Sequence, residues 1–250
     1  MKLEISGNTY VVGDIHGNTT GIQNIIAEYD LSNCNLILLG DIGIWQYKDY
    51  KHYINFDLFC NARNINSYVF RGNHDNPIFF LRPTEQGTIV KRFWNKFTNF
   101  KLIPDLTRVS FNGYTGIVIG GGLSIDRCCR RSFQSPYRIN SGPYKKNDWW
   151  PDEVLPSTKG IDEKIDFILS HTGPRPYKIG PLNKNNCSFF KLDATLQDAI
   201  NEESKRIEEI QKQFKPAKWW FGHYHINDNF DYFETRCIAV DINFLSPLYI

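Results

Sequence analysis

Long apolar runs are what this sequence of 250 residues most plainly lacks. No stretch approaches the ~20 residues that a membrane-spanning helix needs, so no membrane span is expected. The opening Met-Lys-Leu-Glu-Ile-Ser has no charged-then-apolar pattern of a secretory signal, and a cytoplasmic protein is the expectation. An excess of one charge is missing too. A formal net charge of +2 is too small to imply bulk nucleic-acid binding. Nucleic acid is therefore admitted as a partner but not indicated by charge, while a local basic patch beside an anionic substrate stays allowed. Cysteine is sparse, and Cys34, Cys60, Cys128, Cys129, Cys187 and Cys237 include no C-x-x-C spacing. That argues against a zinc knuckle or a redox pair. Reduced thiols are expected, most of them buried, with the adjacent Cys128-Cys129 pair the one candidate for redox or metal chemistry. No internal repeat or linker divides the chain, so one domain over 1–250 is expected.

What is present is an ordinary globular composition, 41% hydrophobic and 22% charged, with aromatics at 15% that suggest large cores or lined clefts. Short apolar segments alternate with polar loops. Leu3–Ile5 and Tyr10–Val12 read as strands joined by a hairpin-like turn at Ser6-Gly7-Asn8. The second runs into Gly13-Asp14-Ile15-His16-Gly17-Asn18, after which Thr19 or Thr20 is placed to cap a helix presenting Ile22, Ile25 and Ile26. Leu36–Leu39, apolar throughout, reads as a strand buried on both faces and ends in Gly40-Asp41. A helical stretch over Tyr50–Ala62 leads to strand Ser67–Phe70, which ends in Arg71-Gly72-Asn73-His74-Asp75. Strand, polar loop and helix thus recur, which points to βαβ units, a largely parallel sheet and ligands beyond the strands' carboxyl ends.

Farther on, Thr107–Phe111 and Gly116–Ile119 read as a strand pair around Asn112-Gly113. An irregular segment near 121–162, rich in Pro, Gly, Arg and Trp, reads as a packed lid-like insertion because of Tyr137, Trp149 and Trp150. For the two tryptophans, core packing competes with stacking on a base. Ile165–Leu169 is another buried-type strand, running into His171. An amphipathic helix with a stripe of Leu192, Leu196, Ala199, Ile200, Ile207 and Ile210 ends at Pro216. Lys218–Phe221 ends in Gly222-His223-Tyr224-His225, and Asn229–Phe233 with Cys237–Ile242 reads as an antiparallel pair.

Five of the six histidines therefore stand at strand ends, beside Asp14, Asp41 and Asn73. Packing alone does not explain that coincidence. Two carboxylates, an amide and four imidazoles, with His74 left over, make a mixed oxygen and nitrogen set. It suits borderline-soft divalent ions such as Mn, Fe, Zn or Co. Seven ligands exceed one tetrahedral site and match two metals about 3.5–4 Å apart, as in phosphoryl-transfer centres. Asp41, alone on the middle strand end, is the natural bridge.

Gly13-Asp14-Ile15-His16-Gly17, Gly40-Asp41, Gly72-Asn73-His74-Asp75, His171 and Gly222-His223-Tyr224-His225 together resemble the five motifs of calcineurin-like metallophosphoesterases, in the family's order. The resemblance implies an α/β fold in which mixed, largely parallel β-sheets form a sandwich with helices outside. It implies that Asp14, His16 and His225 hold one metal and that Asn73, His171 and His223 hold the second, with Asp41 bridging. Two divalent ions are implied, manganese foremost, and a hydroxide between them as nucleophile. His74 would stabilise the phosphoryl oxygens or protonate the leaving alkoxide. Asp75 would orient its ring, or serve only as a turn residue before Asn76-Pro77.

Two departures narrow the subclass. The second motif lacks the Asp-Arg-Gly of the family's protein phosphatases, reading Gly40-Asp41-Ile42-Gly43, and the third has Asp75 where glutamate is usual. The missing cation is sought in Gly121-Gly122-Leu123-Ser124-Ile125-Asp126-Arg127 with Arg130 and Arg131, which resembles a stretch of some bacterial and phage members. Arg127 or Arg130 would bind substrate phosphate, or else pair with Asp126 or Glu153 to hold the lid. The reading is a phosphomonoesterase acting on a small or nucleotide phosphate. Its alternative is a phosphodiesterase or nuclease on cyclic nucleotides or nucleic acid, and a more remote one is a non-catalytic binding scaffold.

Overall fold

Apolar runs of about four residues dictate short strands, and this chain has many of them. A computed structural model describes residues 1–44, 50–132, 148–150, 152–182, 185 and 187–250, the side chains of 131–132 and 148–149 excepted. From the N-terminus come β1 (Lys2–Ile5), β2 (Thr9–Val12), α1 (Thr19–Glu28), β3 (Asn35–Leu38), α2 (Lys51–Ala62) and β4 (Asn66–Val69). The middle adds α3 (Thr88–Trp94), β5 (Phe100–Leu102), β6 (Arg108–Phe111) and β7 (Tyr114–Ile119). Two short strands, β8 (Arg131–Ser132) and β9 (Asp148–Trp149), pair with each other in parallel. The C-terminal part supplies β10 (Phe167–Ser170), α4 (Leu196–Phe214), β11 (Lys218–Phe221), β12 (Asp228–Tyr232), β13 (Thr235–Ala239) and β14 (Leu245–Pro247).

These strands build two main sheets rather than one. The larger runs β1-β6-β7-β10-β11-β13-β12 and the smaller β14-β2-β3-β4-β5. Parallel pairing dominates both; β6 with β7, β12 with β13 and β14 with β2 are antiparallel. Ser6-Gly7-Asn8 is accordingly a passage between sheets and not a hairpin, since β1 pairs with β6 and β2 with β3. A turn signal between four-residue strands is local, whereas the choice of partner is not.

Side-chain alternation explains why the strands are apolar on both faces. Ile37 of β3 points into a core between the sheets with Val11, Phe70, Val118, Leu169 and Trp220. Leu36 and Leu38 point the other way, onto Ile22, Ile26, Tyr53, Phe56 and Phe93 of the helices α1 to α3. On the far face of the larger sheet, Ile207, Ile210 and Phe214 of α4 cover Ile117, Ile168 and Trp219. The order is helix, sheet, sheet, helix.

Local details differ from expectation in instructive ways. Asn18, not Thr19 or Thr20, caps α1 by accepting from the Gly21 N–H at 3.0 Å; an amide oxygen one residue earlier does the same job. Leu192 lies outside α4 and is exposed, following a tight turn over Ser188–Lys191. Lys215, with φ of 43°, closes α4 in a left-handed cap before Pro216. Trp150 is fully buried, so it packs in the core and offers no stacking face; Tyr137 and the Trp149 side chain lie outside the described residues. Among the described residues no helix is long and apolar enough to cross a membrane.

Candidate metal centre

The strand ends that carry the polar motifs come from both sheets. β2, β3 and β4 deliver Asp14, Asp41 and Asn73 from the smaller sheet, while β10 and β11 deliver His171 and His223 from the larger. Because the sheets are stacked, their carboxyl ends meet along one edge, and the site straddles the seam. The backbone there is unusual. His16, Asp41, His223 and His225 have φ of 46°, 47°, 66° and 52°, a left-handed region that non-glycine residues rarely enter. Such strain persists only where surrounding structure enforces it, and it concentrates at functional sites. Glycine is required beside two of the carboxylates: a side chain at Gly72 would collide with Asp41 Oδ1, and one at Gly222 with Asp14 Oδ1.

All seven expected ligands converge. His225 Nε2 lies 2.9 Å from Asp14 Oδ2 and 3.1 Å from His16 Nε2. Asn73 Oδ1 lies 2.7 Å from His171 Nε2 and 3.1 Å from His223 Nδ1. Asp41 stands between these two clusters, with Oδ2 3.9 Å from His16 Nε2 and Oδ1 3.5 Å from His171 Nε2. Asp14, Asp41, Asn73 and His171 are buried, whereas His225 reaches solvent.

The donor chemistry fits bound cations. His171 Nδ1–H donates to the Leu39 carbonyl at 2.8 Å, which leaves Nε2 as the lone-pair nitrogen. Asn73 Nδ2 donates to Ser124 Oγ at 2.9 Å, so Oδ1 is the end that faces His171. Ser124 Oγ in turn donates to Glu153 Oε2, and Arg71 grips the Glu153 carbonyl at 2.9 Å. Acceptors therefore face acceptors across 2.7 Å in a buried place, an arrangement that a divalent cation between them would satisfy. The carboxylates agree. Burial, then the charges of Asp14 and Asp75, push Asp41 well above the usual carboxylate range. Burial also penalises the Asp14 charge, but His171 and the hydrogen bond from His225 outweigh it and hold Asp14 below that range. Burial and His171 keep His223 neutral, as a metal ligand must be.

The family model for calcineurin-like phosphoesterases matches residues 7–227. The chain belongs to that family. No curated protein sequence matches it. Among solved structures it is similar to TT1561 of Thermus thermophilus, with 11% identity, 96% of this chain and 97% of that chain covered, and a TM-score of 0.49. It is also similar to the phosphopantetheinyl hydrolase from Mycobacterium tuberculosis, with 14% identity, coverage of 94% and 90%, and a TM-score of 0.48. The chain is thus a phosphate-ester hydrolase with candidate metal ligands at its sheet edge.

In this phosphoesterase the remaining candidates separate. His74 sits at the rim, its backbone N–H donating to Asp41 Oδ1 at 2.7 Å and its Nε2 against the Arg130 guanidinium. Burial, with Arg130 next, drives its pKa down to about 2. Asp75 does not orient that ring. Its oxygens accept from the backbone N–H groups of Ile42, Gly43, Ile44 and Gly72, at 2.7 to 3.2 Å, and so tie the second motif to the third. The shorter side chain leaves the carboxylate among backbone donors rather than beside the ring.

Arg127 is likewise turned away. It pairs with Asp193 Oδ2 at 2.7 Å and Thr195 Oγ1 at 2.9 Å, neither of them among the partners expected. Arg130 is buried, paired with Asp126 at 2.8 Å, and lines the cavity with His74 and Asp41. Sequence reasoning missed Arg175, which lines the same cavity with its guanidinium 5.1 Å from the Tyr224 ring centroid. Its only signal was an arginine between two prolines four residues after His171.

Proposed function

We propose that this phosphoesterase is a dinuclear phosphomonoesterase. Asp14, His16 and His225 would hold one divalent ion and Asn73, His171 and His223 the other, with Asp41 shared. Bound there, two such ions, manganese foremost, would supply a nucleophile at neutral pH and polarise the phosphoryl oxygens. The convergence of lone pairs on either side of Asp41 is the observation that carries this reading.

The chain's own groups complete the chemistry. Arg130 presents a guanidinium at the cavity wall, suited to a phosphoryl oxygen pair. His74 is neutral, accepting at Nε2 from Arg130, so Nδ1–H is its donor. That favours hydrogen bonding to phosphoryl oxygens over protonation of the leaving group. A cavity of about 380 Å³ holds a small ester, whereas a nucleic-acid strand calls for an extended groove. All six cysteines are unpaired thiols, which supports work in a reducing, cytoplasmic setting.

The test is hydrolysis of p-nitrophenyl phosphate against bis(p-nitrophenyl) phosphate with Mn²⁺ added. The monoester should have the higher kcat/KM, by roughly tenfold or more. Preference for the diester would replace the reading by a phosphodiesterase. Turnover of neither by metal-loaded protein would favour a binding scaffold.

A further inference from the structure

The cavity beside the ligand cluster has two chemically distinct sides. One carries Asp41, Asn73, His74, Arg130 and His223. The other, apart from Arg175, is apolar and comes mostly from the segment that follows β10. There Leu123, Cys187, Phe190 and Leu196 form a small satellite core, separate from the cores of the two sheets. Leu182 and Phe189 pack on its outer surface, half-buried, and with Ile179 they line the same cavity. An apolar wall of this kind is costly to leave in water. Here it faces the metal ligands across a single cavity.

Apart from Arg175, whose guanidinium lies over the Tyr224 ring, the polar groups near that wall are already committed. Ser124 Oγ sits between Asn73 and Glu153, and Asp126 is paired with Arg130. Neither is free to read the hydrogen-bonding edge of a nucleobase or the hydroxyls of a sugar. On the phosphomonoesterase reading, a phosphoryl group would be held by the charge of Arg130 and the ligand cluster. The occupant of the wall is then the group esterified to that phosphoryl.

We propose that Ile179, Leu182 and Phe189 form the leaving-group subsite and select phosphate monoesters of apolar alcohols. This rests on the phosphomonoesterase reading above. In the reaction a water oxygen bonds to phosphorus, the ester P–O bond breaks, and a proton ends on the departing alcohol. That alcohol leaves along the apolar wall.

The experiment compares n-hexyl phosphate with ethyl phosphate, whose leaving alkoxides are of similar basicity, using Mn²⁺-loaded protein. Full burial of the four extra methylenes would favour the hexyl ester on the order of 200-fold in kcat/KM, and a preference of roughly tenfold or more is expected. Leu182→Ser and Phe189→Ser should each bring that ratio towards one, mainly through KM for the hexyl ester. Metal content measured on the same samples reports that the centre is intact. A wild-type ratio near one, or a ratio unmoved in both variants, would overturn the subsite. If neither ester is hydrolysed, turnover of p-nitrophenyl phosphate decides the phosphomonoesterase reading, and the subsite is decided by calorimetry with hexylphosphonate and ethylphosphonate. Equal affinity for those two would overturn it as well.

Discussion

The Nε2 atoms of His16 and His225 stand 3.1 Å apart, with Asp14 Oδ2 2.9 Å from the second. The hydrogen bond to Asp14 raises the His225 pKa, and a metal ligand must be deprotonated. Metal loading should therefore release protons and stabilise the fold. Chelation with EDTA should lower the Tm and Mn²⁺ should restore it, by about 2.7 kcal/mol of stability at a hundredfold excess over Kd. On the dinuclear reading proposed above, Asp41→Asn should reduce bound metal from two ions per chain to one by elemental analysis. Two ions retained would remove Asp41 from the shared position.

Asp75→Asn separates two roles. The carboxylate accepts four backbone N–H groups, and an amide would turn an NH₂ towards some of them. Destabilisation of roughly 2–4 kcal/mol is expected in urea unfolding. A residue that merely oriented a catalytic ring would change kcat and leave the unfolding midpoint in place.

Arg127→Ala and Arg130→Ala should behave differently although they are three residues apart. Arg127 holds Asp193 near the surface, so its loss should cost about 0–1 kcal/mol and leave KM for p-nitrophenyl phosphate nearly unchanged. Arg130→Ala should raise that KM roughly tenfold or more. Equal effects on KM would mean that the cavity geometry misassigns the phosphate contact.

Glu203 makes stability depend on pH. Burial raises its carboxyl from 4.5 to about 7, although it accepts the Leu123 N–H at 2.6 Å. The folded chain then holds a proton that the unfolded chain has lost. The contribution is complete below about pH 4.5 and disappears as pH rises through about 7. Glu203→Gln keeps an acceptor oxygen for Leu123 but cannot ionise. The Tm difference between wild type and variant should widen against the wild type between pH 5 and 8, about the span of this titration. A constant difference would show that the group does not titrate there.

The convergence of the candidate ligands was legible because their motifs follow apolar runs, so local order in sequence became proximity at the sheet edge. The division into two sheets was not legible. β1 and β2 are three residues apart yet pair with strands from different parts of the chain. Nor could the arginines be sorted. Arg127 opens a tight helical turn that ends before Arg130, whose extended backbone sends its side chain the other way. Arg175 stood in a loop without periodicity, where neither strand nor helix pattern singled it out. The packing of α3 and β14 likewise depends on distant contacts that short segments do not encode.

The relay from Arg71 through Glu153 and Ser124 to Asn73 gives residue 73 a polarity. Ser124 spends its proton on Glu153, so it can only receive one from Asn73, and the amide cannot turn over. A carboxylate at 73 would bring lone pairs against a lone pair at the back while placing more charge at the front, beside His171 and His223. The choice of amide over acid at this ligand is thus made 80 residues away, by Glu153. A neutral side chain in this half of the candidate centre is a property of its support, and replacing Glu153 would be the way to free it.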